Sequence, residues 1–596
     1  MKLTAVIFAL SAGTLFAGGG WDALPLGRVV PAGVFGERIA MTMTNNLAKV
    51  DYDGDFIRPF AEKTSKSRYV AIGKMTEALV LFAKQTGDPE MLRLKGRLVS
   101  ALLDNQLEDG YIGCMRKESR LWDIWDAHEI AYIITALMCD WEEFGERRSL
   151  EGARRAADWV LANWKTRPND WGRTWVNEPM YLIGQCQALL RLHRATKDRR
   201  YLDFCLNERA LAGFDTPIYE GRDEMMWGHM YTFLNQCLAQ HFLYRLQSDE
   251  GLFAQTDRAA DFLWRRDGAT IAGHGGIAEC WTDSQDGDGD VGETCATVYQ
   301  MFLYDSCLRL GHGPAGEWGD RMERTVYNGL FAAQSPDGRR IRYYTPLLGR
   351  RKYFDGDIYC CPNNYRRAIG RLPQWLFYVR DDAVLANLYS DCEAKLRVGG
   401  VDVAVTERTR YPYDGRVEFT FAPERQTAFS FLVRIPKWCA DPKVSLNGRA
   451  LSLANAQDGL LRIVASWKHG DRVVCDFPMA PRCVLGRKRQ YGRFAVMKGP
   501  LVYAYAPKDD DRHPFDIQAT MQADPLSCAK EGDDVTMLVT TFEFAVGVDP
   551  NHKATQRICL VPFADPEATI TYFRAPNLKG TVKSDDELFC RQDAAR

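Results

Sequence analysis

The sequence predicts a multidomain α+β protein, in which a toroid of helical hairpins is followed by one or more C-terminal β-sandwich domains. Between about residues 68 and 333, stretches with helical periodicity alternate with short turns rich in glycine and aspartate. After about residue 380, short alternating segments take over, separated by turn signals such as Asp414-Gly415 and Asn447-Gly448. A chain of 596 residues is also too long for a single hydrophobic core.

The helical part repeats one pattern, a helix, a short turn and a second helix. In one copy Cys186, Leu189 and Leu190 fall at helical spacing. The copies begin near Tyr69, Asp126, Glu178, His229 and Glu293. Residues 34–48 and 363–378 could supply a sixth pair. Such a series predicts a closed ring around a central cavity, with an open helical solenoid as the alternative.

The N-terminus has the three-part order of an export signal. Lys2 is followed by an apolar run from Leu3 to Phe16 and then by small residues, and the run is too short to span a bilayer. The alternative is a retained N-terminal strand or helix. We therefore expect an exported protein, periplasmic or extracellular. The expected segments are a signal peptide at 1–20, the helical domain at 21–379, a β-sandwich domain at 380–485 and a second β-rich domain at 486–596.

Composition excludes several classes of function. The net charge is −2 and the charged fraction is 26%, which gives no basic excess for nucleic acid. No segment has the length of a transmembrane helix. The 17 cysteines are odd in number and show no disulfide framework, and many lie in apolar helical stretches as small buried residues. Oligomeric state is left open, with a homodimer as one alternative.

Two short stretches carry the strongest chemical signal. Glu293 and Cys295 lie two residues apart, and Cys360 and Cys361 are adjacent. Three sulfurs and one carboxylate oxygen are the ligand types and number of a tetrahedral Zn²⁺ site. A spacing of two does not place side chains on one helix face, so Glu293 and Cys295 are expected at a loop-to-helix junction. Pro362 predicts an extended conformation for Cys361. The alternatives are four unrelated residues or a purely structural zinc.

Several motifs, in one order, resemble a known family. They are Glu-Thr-Cys-Ala (293–296), Glu-Arg-Thr-Val-Tyr-Asn-Gly (323–329), Asp-Gly (337–338), Tyr-x-Thr-Pro-Leu (343–347) and Cys-Cys-Pro-x-Asn (360–364). The likeness continues through Leu388-Tyr389, Tyr411-Pro412 and Arg434-Ile435-Pro436. Together they resemble the β-L-arabinofuranosidases of glycoside hydrolase family 127 and their relatives in family 146.

The resemblance implies an (α/α)6 barrel followed by β-sandwich domains, and a retaining exo-hydrolase acting on an oligosaccharide or polysaccharide. Cys360 matches the nucleophile, and Glu279, in Gly275-Gly276-Ile277-Ala278-Glu279, matches the acid/base. The implied zinc ligands are Glu293, Cys295, Cys360 and Cys361. The implied substrate-binding residues are His229, Glu323, Tyr343 and His128, the last through family 146.

Other functions stay open at this point. Leu182-Ile183-Gly184 stands where the relatives carry a His-Glu pair, so a furanose other than β-L-arabinofuranose is an alternative substrate. A toroid could also serve a lyase or epimerase, or a non-catalytic carbohydrate-binding protein with structural zinc. Residues 286–290 (DGDGD) suggest a solvated loop, with a calcium loop as the competing interpretation.

Overall fold

A computed structural model describes residues 20–66, 69–122, 124–166, 184–218, 228–506, 517–518, 526–528, 535–542, 553–574 and 583–589. The predicted export signal lies outside these residues except for Gly20. Within the described ranges, no helix has both the length and the apolar character needed to span a bilayer.

Thirteen α-helices lie in the described ranges, and six of them form a closed ring. They are α1 (Gly33–Met41), α2 (Arg58–Glu62), α3 (Ile72–Thr86), α4 (Pro89–Asp104), α5 (Ile124–Phe144), α6 (Arg147–Asn163), α7 (Gln185–Thr196), α8 (Arg199–Asp203), α9 (Met230–Gln247), α10 (Ala254–Arg265), α11 (Thr294–Leu310), α12 (Ala315–Arg324) and α13 (Cys360–Arg371). Around the ring, α3, α5, α7, α9, α11 and α13 each pack against the next, and α13 packs against α3. The closed toroid is therefore confirmed over the open solenoid.

The turn between α3 and α4 shows how the local sequence builds these hairpins. Gly87 ends α3 with a φ of 66°, a left-handed conformation that glycine adopts without strain. Asp88 then caps α4 by accepting from the backbone N–H groups of Glu90 and Met91, both at 3.0 Å. Pro89 occupies the first position of α4, where no backbone donor is needed. The next helix therefore turns back at once against the outer side of α3.

The described strands make three sheets. They are β1 (Asp22–Ala23), β2 (Val29–Pro31), β3 (Phe377–Arg380), β4 (Ala383–Ala386), β5 (Cys392–Val398), β6 (Val401–Thr409), β7 (Arg416–Pro423), β8 (Thr427–Arg434), β9 (Lys443–Leu446), β10 (Arg449–Ala450), β11 (Leu460–Trp467), β12 (Arg472–Asp476), β13 (Pro481–Leu485), β14 (Arg493–Lys498), β15 (Leu501–Tyr505), β16 (Ile517–Gln518), β17 (Leu526–Cys528), β18 (Val535–Phe542), β19 (Lys553–Pro562), β20 (Tyr572–Arg574) and β21 (Lys583–Ser584).

The first two sheets form a sandwich. One has the order β1-β3-β4-β8-β11 and the other β10-β9-β12-β7-β6-β5-β2. Phe419 on β7 meets Phe431 on β8 with ring centroids 5.1 Å apart, and Phe421 lies 4.2 Å from Trp467 on β11. These aromatic side chains fill the space between the two sheets, and the alternating burial along β5 and β6 follows from it.

The N-terminal segment belongs to this sandwich as well as to the helical part. β1 pairs with β3, and β2 pairs with β5, before the chain enters α1. In the third sheet, β14 pairs with both β15 and β20, which closes β14, β15, β19, β18, β16 and β20 into a ring of strands. The helical toroid is thus followed by a sandwich and by a further β-region.

Candidate active site

The candidate site lies where the inner helices begin. Its side chains are Lys74 on α3, His128 on α5, His229 before α9, Glu293 and Cys295 at the start of α11, and Cys360 and Cys361 at the start of α13. Thiols in the first turn of a helix face its positive dipole end, which favours the thiolate. This arrangement therefore suits a cluster of anionic sulfurs.

The four predicted ligands converge. One potential ligand atom from each of Glu293, Cys295, Cys360 and Cys361 lies within 4.8 Å of the others, and all four residues are buried. The Cys295 and Cys361 sulfurs are 3.2 Å apart, and Cys361 Sγ lies 3.5 Å from Glu293 Oε1. Glu293 lies immediately before the first residue of α11 and Cys295 follows in the first turn, so the predicted loop-to-helix junction is confirmed.

The electrostatics of this cluster fit a bound cation. Burial, together with the nearby charges of Glu279 and Cys360, raises the pKa of Glu293 well above its usual value. Glu293 Oε2 has no hydrogen-bond partner although it is buried. Hydrogen bonds from Cys295 and Cys361 lower the pKa of the Cys360 thiol, whereas burial raises that of Cys361. A divalent metal would offset part of the negative charge that these four side chains carry when deprotonated, and three sulfurs with one oxygen are a zinc donor set.

A hydrogen-bonded chain leads from the cluster to the predicted acid/base. Tyr343 Oη lies 3.0 Å from Cys360 Sγ and 2.7 Å from Glu279 Oε1. His229 Nε2 lies 3.2 Å from the other Glu279 oxygen. Three side chains proposed from separate motifs therefore meet the nucleophile candidate in one continuous chain, and Glu279 remains partly exposed for contact with a ligand.

The backbone is strained immediately before the predicted nucleophile and at the predicted acid/base. Tyr359, immediately before Cys360, has a φ of 71°, and Glu279 has a φ of 69°. Left-handed conformations are costly for such residues and concentrate at functional sites. The expected extended conformation of Cys361 is wrong. Cys361 lies within α13, and Pro362 fits the first turn of that helix, so the chain bends at Tyr359 instead.

Lys74 belongs to the site and was missed. Its ammonium lies 3.1 Å from His128 Nε2 and over the ring of Tyr132, 4.2 Å from the centroid. Both Lys74 and His128 are fully buried. Because an ammonium has only donors, Nε2 of His128 must accept, which leaves the ring proton on Nδ1. The sequence feature that could have identified Lys74 is a lysine among the apolar residues at the start of α3.

Glu323 is not brought into this cluster, and its role in sugar binding stays a prediction. It lies on α12, outside the inner ring, and its carboxylate accepts from Arg434, Tyr411 and Trp438 of the sandwich region. Arg434 also binds Asp320 at 2.6 Å. With both carboxylate oxygens engaged and the residue 1% exposed, Glu323 joins the toroid to the sandwich.

Replacement of Glu323 by leucine is therefore expected to cost about 3–5 kcal/mol of stability, because Arg434 would stay buried with half of its counter-charge removed. Urea unfolding would measure the loss, while KM for an aryl furanoside stays unchanged in the folded variant. Asp402→Leu, at an exposed ion pair with Arg397, is the control and should cost less than about 1 kcal/mol. A raised KM without lost stability would instead support the sugar-binding role.

The calcium alternative finds no support in the described residues. Asp286 accepts a hydrogen bond from Arg489 at 2.5 Å. Within the described ranges, the group of side chains that could hold a metal ion is the one around Glu293, and it does not include residues 286–290. Leu182 and Ile183, where the relatives' His-Glu pair is replaced, lie outside the described residues.

Fold and site together define a glycoside hydrolase of the helical-toroid class, and family comparisons agree. The model of the GH127 β-L-arabinofuranosidase catalytic domain matches residues 41–374, more than half of the chain. The model of the GH127 middle domain matches residues 383–479. The chain belongs to glycoside hydrolase family 127. Hydrolysis is thereby favoured over the lyase, epimerase and binding-protein alternatives.

Individual relatives resemble the chain in sequence or in structure. The non-reducing end β-L-arabinofuranosidase of Bifidobacterium longum subsp. longum is 26% identical over 491 residues, covering 71% of this chain and 73% of the relative. A GH127 β-L-arabinofuranosidase from Geobacillus stearothermophilus T6 superposes with a TM-score of 0.76 at 20% identity, covering 92% of this chain and 100% of that one. A second GH127 β-arabinofuranosidase superposes with a TM-score of 0.77 at 21% sequence identity, covering 94% of this chain and 99% of that one. At these identities the two structures establish the shared fold.

Proposed function

We propose that this enzyme releases terminal β-L-arabinofuranose from glycans with retention of configuration, using Cys360 as nucleophile and Glu279 as acid/base beside a zinc centre. The observation that carries the proposal is the Tyr343 hydroxyl, which contacts both Cys360 and Glu279 next to the buried thiol cluster. The choice of sugar rests on family membership and on the relative from Bifidobacterium longum.

The separation of the two groups supports retention. With contacts of 2.7 and 3.0 Å to one hydroxyl, Glu279 Oε1 and Cys360 Sγ lie within about 6 Å of each other. Retaining glycosidases place their two groups about 5–5.5 Å apart, whereas inverting enzymes need about 6.5–9.5 Å to admit a water. The spacing of the two groups is shorter than the range typical of inverting enzymes and favours direct attack by sulfur.

The reaction then follows from the positions of the side chains. Glu279 gives its proton to the leaving glycosidic oxygen while Cys360 Sγ bonds to the anomeric carbon, so the C–O bond breaks as the C–S bond forms. Glu279, now a carboxylate, takes a proton from water, and the water oxygen displaces Cys360 from the sugar. Two inversions give overall retention. His229 and Tyr343 hold the two Glu279 oxygens in place through both steps.

Zinc, when bound, would be held by Glu293, Cys295, Cys360 and Cys361 and would keep the sulfurs as thiolates at neutral pH. The chain supplies the remaining conditions. Burial excludes water from the sulfurs, and the helix starts of α11 and α13 favour their negative charge. Tyr343 orients Cys360 towards the side where Glu279 lies.

Metal removal is the test of this centre. The purified protein is expected to contain about one zinc per chain by elemental analysis, and chelation should lower hydrolysis of an aryl β-L-arabinofuranoside at least about 100-fold, with recovery on adding Zn²⁺. Mg²⁺ should not restore activity, because a site with three thiolates disfavours hard cations. Full turnover in protein stripped of metal would refute the zinc centre.

A further inference from the structure

A buried amide points at one sulfur of the cluster. Asn364 lies on α13, one turn beyond Cys360, and its Nδ2 is 3.1 Å from Cys295 Sγ. Asn364 and Cys295 are both fully buried. An amide N–H can donate to a thiolate, and such a bond to a charged acceptor is stronger than one between neutral groups.

A neighbouring arginine settles which way the amide faces. Arg367, three residues further along α13, has its Nη1 2.8 Å from Asn364 Oδ1. A guanidinium has donors only, so the atom it contacts must be the amide oxygen. The NH₂ group of Asn364 is therefore left facing Cys295, with no need to choose between two flipped orientations.

The arginine is itself held firmly. Its Nε donates to Glu77 Oε2 on α3 at 2.7 Å, and Arg371 donates to the other Glu77 oxygen at 2.9 Å. Burial opposes the charge of Glu77, yet Arg367 and Arg371 lower its pKa to about 2. The buried, charged Glu77 on α3 therefore fixes the Asn364 amide through Arg367, and α3 is the neighbour of α13 in the ring.

The three sulfurs of the cluster do not share this environment. Cys295 accepts from the Asn364 amide, Cys361 Sγ lies 3.5 Å from Glu293 Oε1, and Cys360 contacts the Tyr343 hydroxyl, which donates to Glu279. A filled centre of one Zn²⁺, three thiolates and one carboxylate carries a buried net negative charge, which fixed N–H donors stabilise. A donor fixed on Cys295 stabilises its charge and makes that sulfur a poorer nucleophile.

We propose that Asn364 is a positioning residue of the metal centre. Its amide, oriented by Arg367 and Glu77, donates to Cys295 and holds that residue as a non-reacting thiolate, while Cys360 is the sulfur placed beside Tyr343 and Glu279. This inference rests on the proposed zinc centre.

The test loads Co²⁺ in place of zinc and records the sulfur-to-cobalt charge-transfer band of the wild type, Asn364→Leu and Asn364→Asp. Leucine removes the donor and keeps the branched shape of the side chain, and aspartate keeps both the size and an oxygen that Arg367 can bind. Both variants should move the band to longer wavelength. They should also lower zinc affinity, measured by chelator competition, about 10–100-fold. Asn328→Leu removes a buried amide that donates to the backbone carbonyls of Arg324 and Pro500 instead of to a sulfur; it is the control and should leave the band unmoved.

Each outcome decides the proposal. An unmoved band and wild-type zinc affinity in either variant would show that Asn364 only fills space. Loss of fold in both variants before metal is added would also overturn it, since Asn364 would then be structural. If the wild type itself binds neither Co²⁺ nor Zn²⁺, the zinc centre fails first, and the two failures are thereby distinguished.

Discussion

Replacing Cys360 by alanine is expected to abolish hydrolysis, with kcat for an aryl β-L-arabinofuranoside falling at least about 10³-fold. Cys360 Sγ is the cluster sulfur that contacts the Tyr343–Glu279 chain. Its loss removes the covalent route while leaving Glu293, Cys295 and Cys361 as potential ligands. Steady-state kinetics would measure the fall, and mass spectrometry of the quenched wild type should find a pentosyl adduct on Cys360.

Cys439→Ala supplies the matched control. Cys439 is a buried free thiol in the sandwich region, so its removal tests for a general effect of losing a cysteine. Turnover in this variant should match the wild type. A Cys360→Ala enzyme with wild-type kcat, or a pentosyl adduct on another residue, would contradict the nucleophile assignment.

The architecture was largely predictable because it depends on local pattern. Each hairpin of the toroid is predicted by helical periodicity and by a turn such as Gly87-Asp88, and both signals lie within a few residues of sequence. Closure of the ring is not predicted by any local sequence signal. It depends on α13 packing against α3, almost 300 residues earlier in the chain. The pairing of β1 and β2 with strands beyond residue 376 was missed for the same reason, since no local pattern reports a partner so distant.

The site residues were predictable where the chemistry requires particular residue types. They were not predictable where the role depends on the direction in which a side chain points. Four metal-ligand residues in two short motifs can meet at one point, and the structure brings them together. Glu323 lies in an equally recognisable motif, but its side chain points from α12 into the sandwich. Sequence spacing alone does not report that direction. Lys74 and Asn364 act through neighbours on other helices, which only the packed ring reveals.

Glutamine in place of Glu279 is expected to lower kcat/KM by about 10²–10⁴-fold for a substrate with a sugar leaving group. The amide keeps the size of the side chain and can still accept from Tyr343, but it has no proton to give to the glycosidic oxygen. A nitrophenyl leaving group departs as a stable anion and needs no such proton. The loss in the first chemical step should therefore be far smaller for the aryl substrate, and comparison of the two substrates measures it.

The second half of the reaction gives an independent criterion. Without a base at Glu279, water attacks the sugar–cysteine bond slowly, so the adduct on Cys360 should accumulate with the aryl substrate. Azide needs no deprotonation, and it should restore turnover and yield an arabinofuranosyl azide of retained configuration. Equal losses with both leaving groups and no response to azide would mean that Glu279 only orients Tyr343 and His229, its two contacts in the site. The acid/base would then be another group near Tyr343, and the short distance that favours retention would no longer join the two reacting residues.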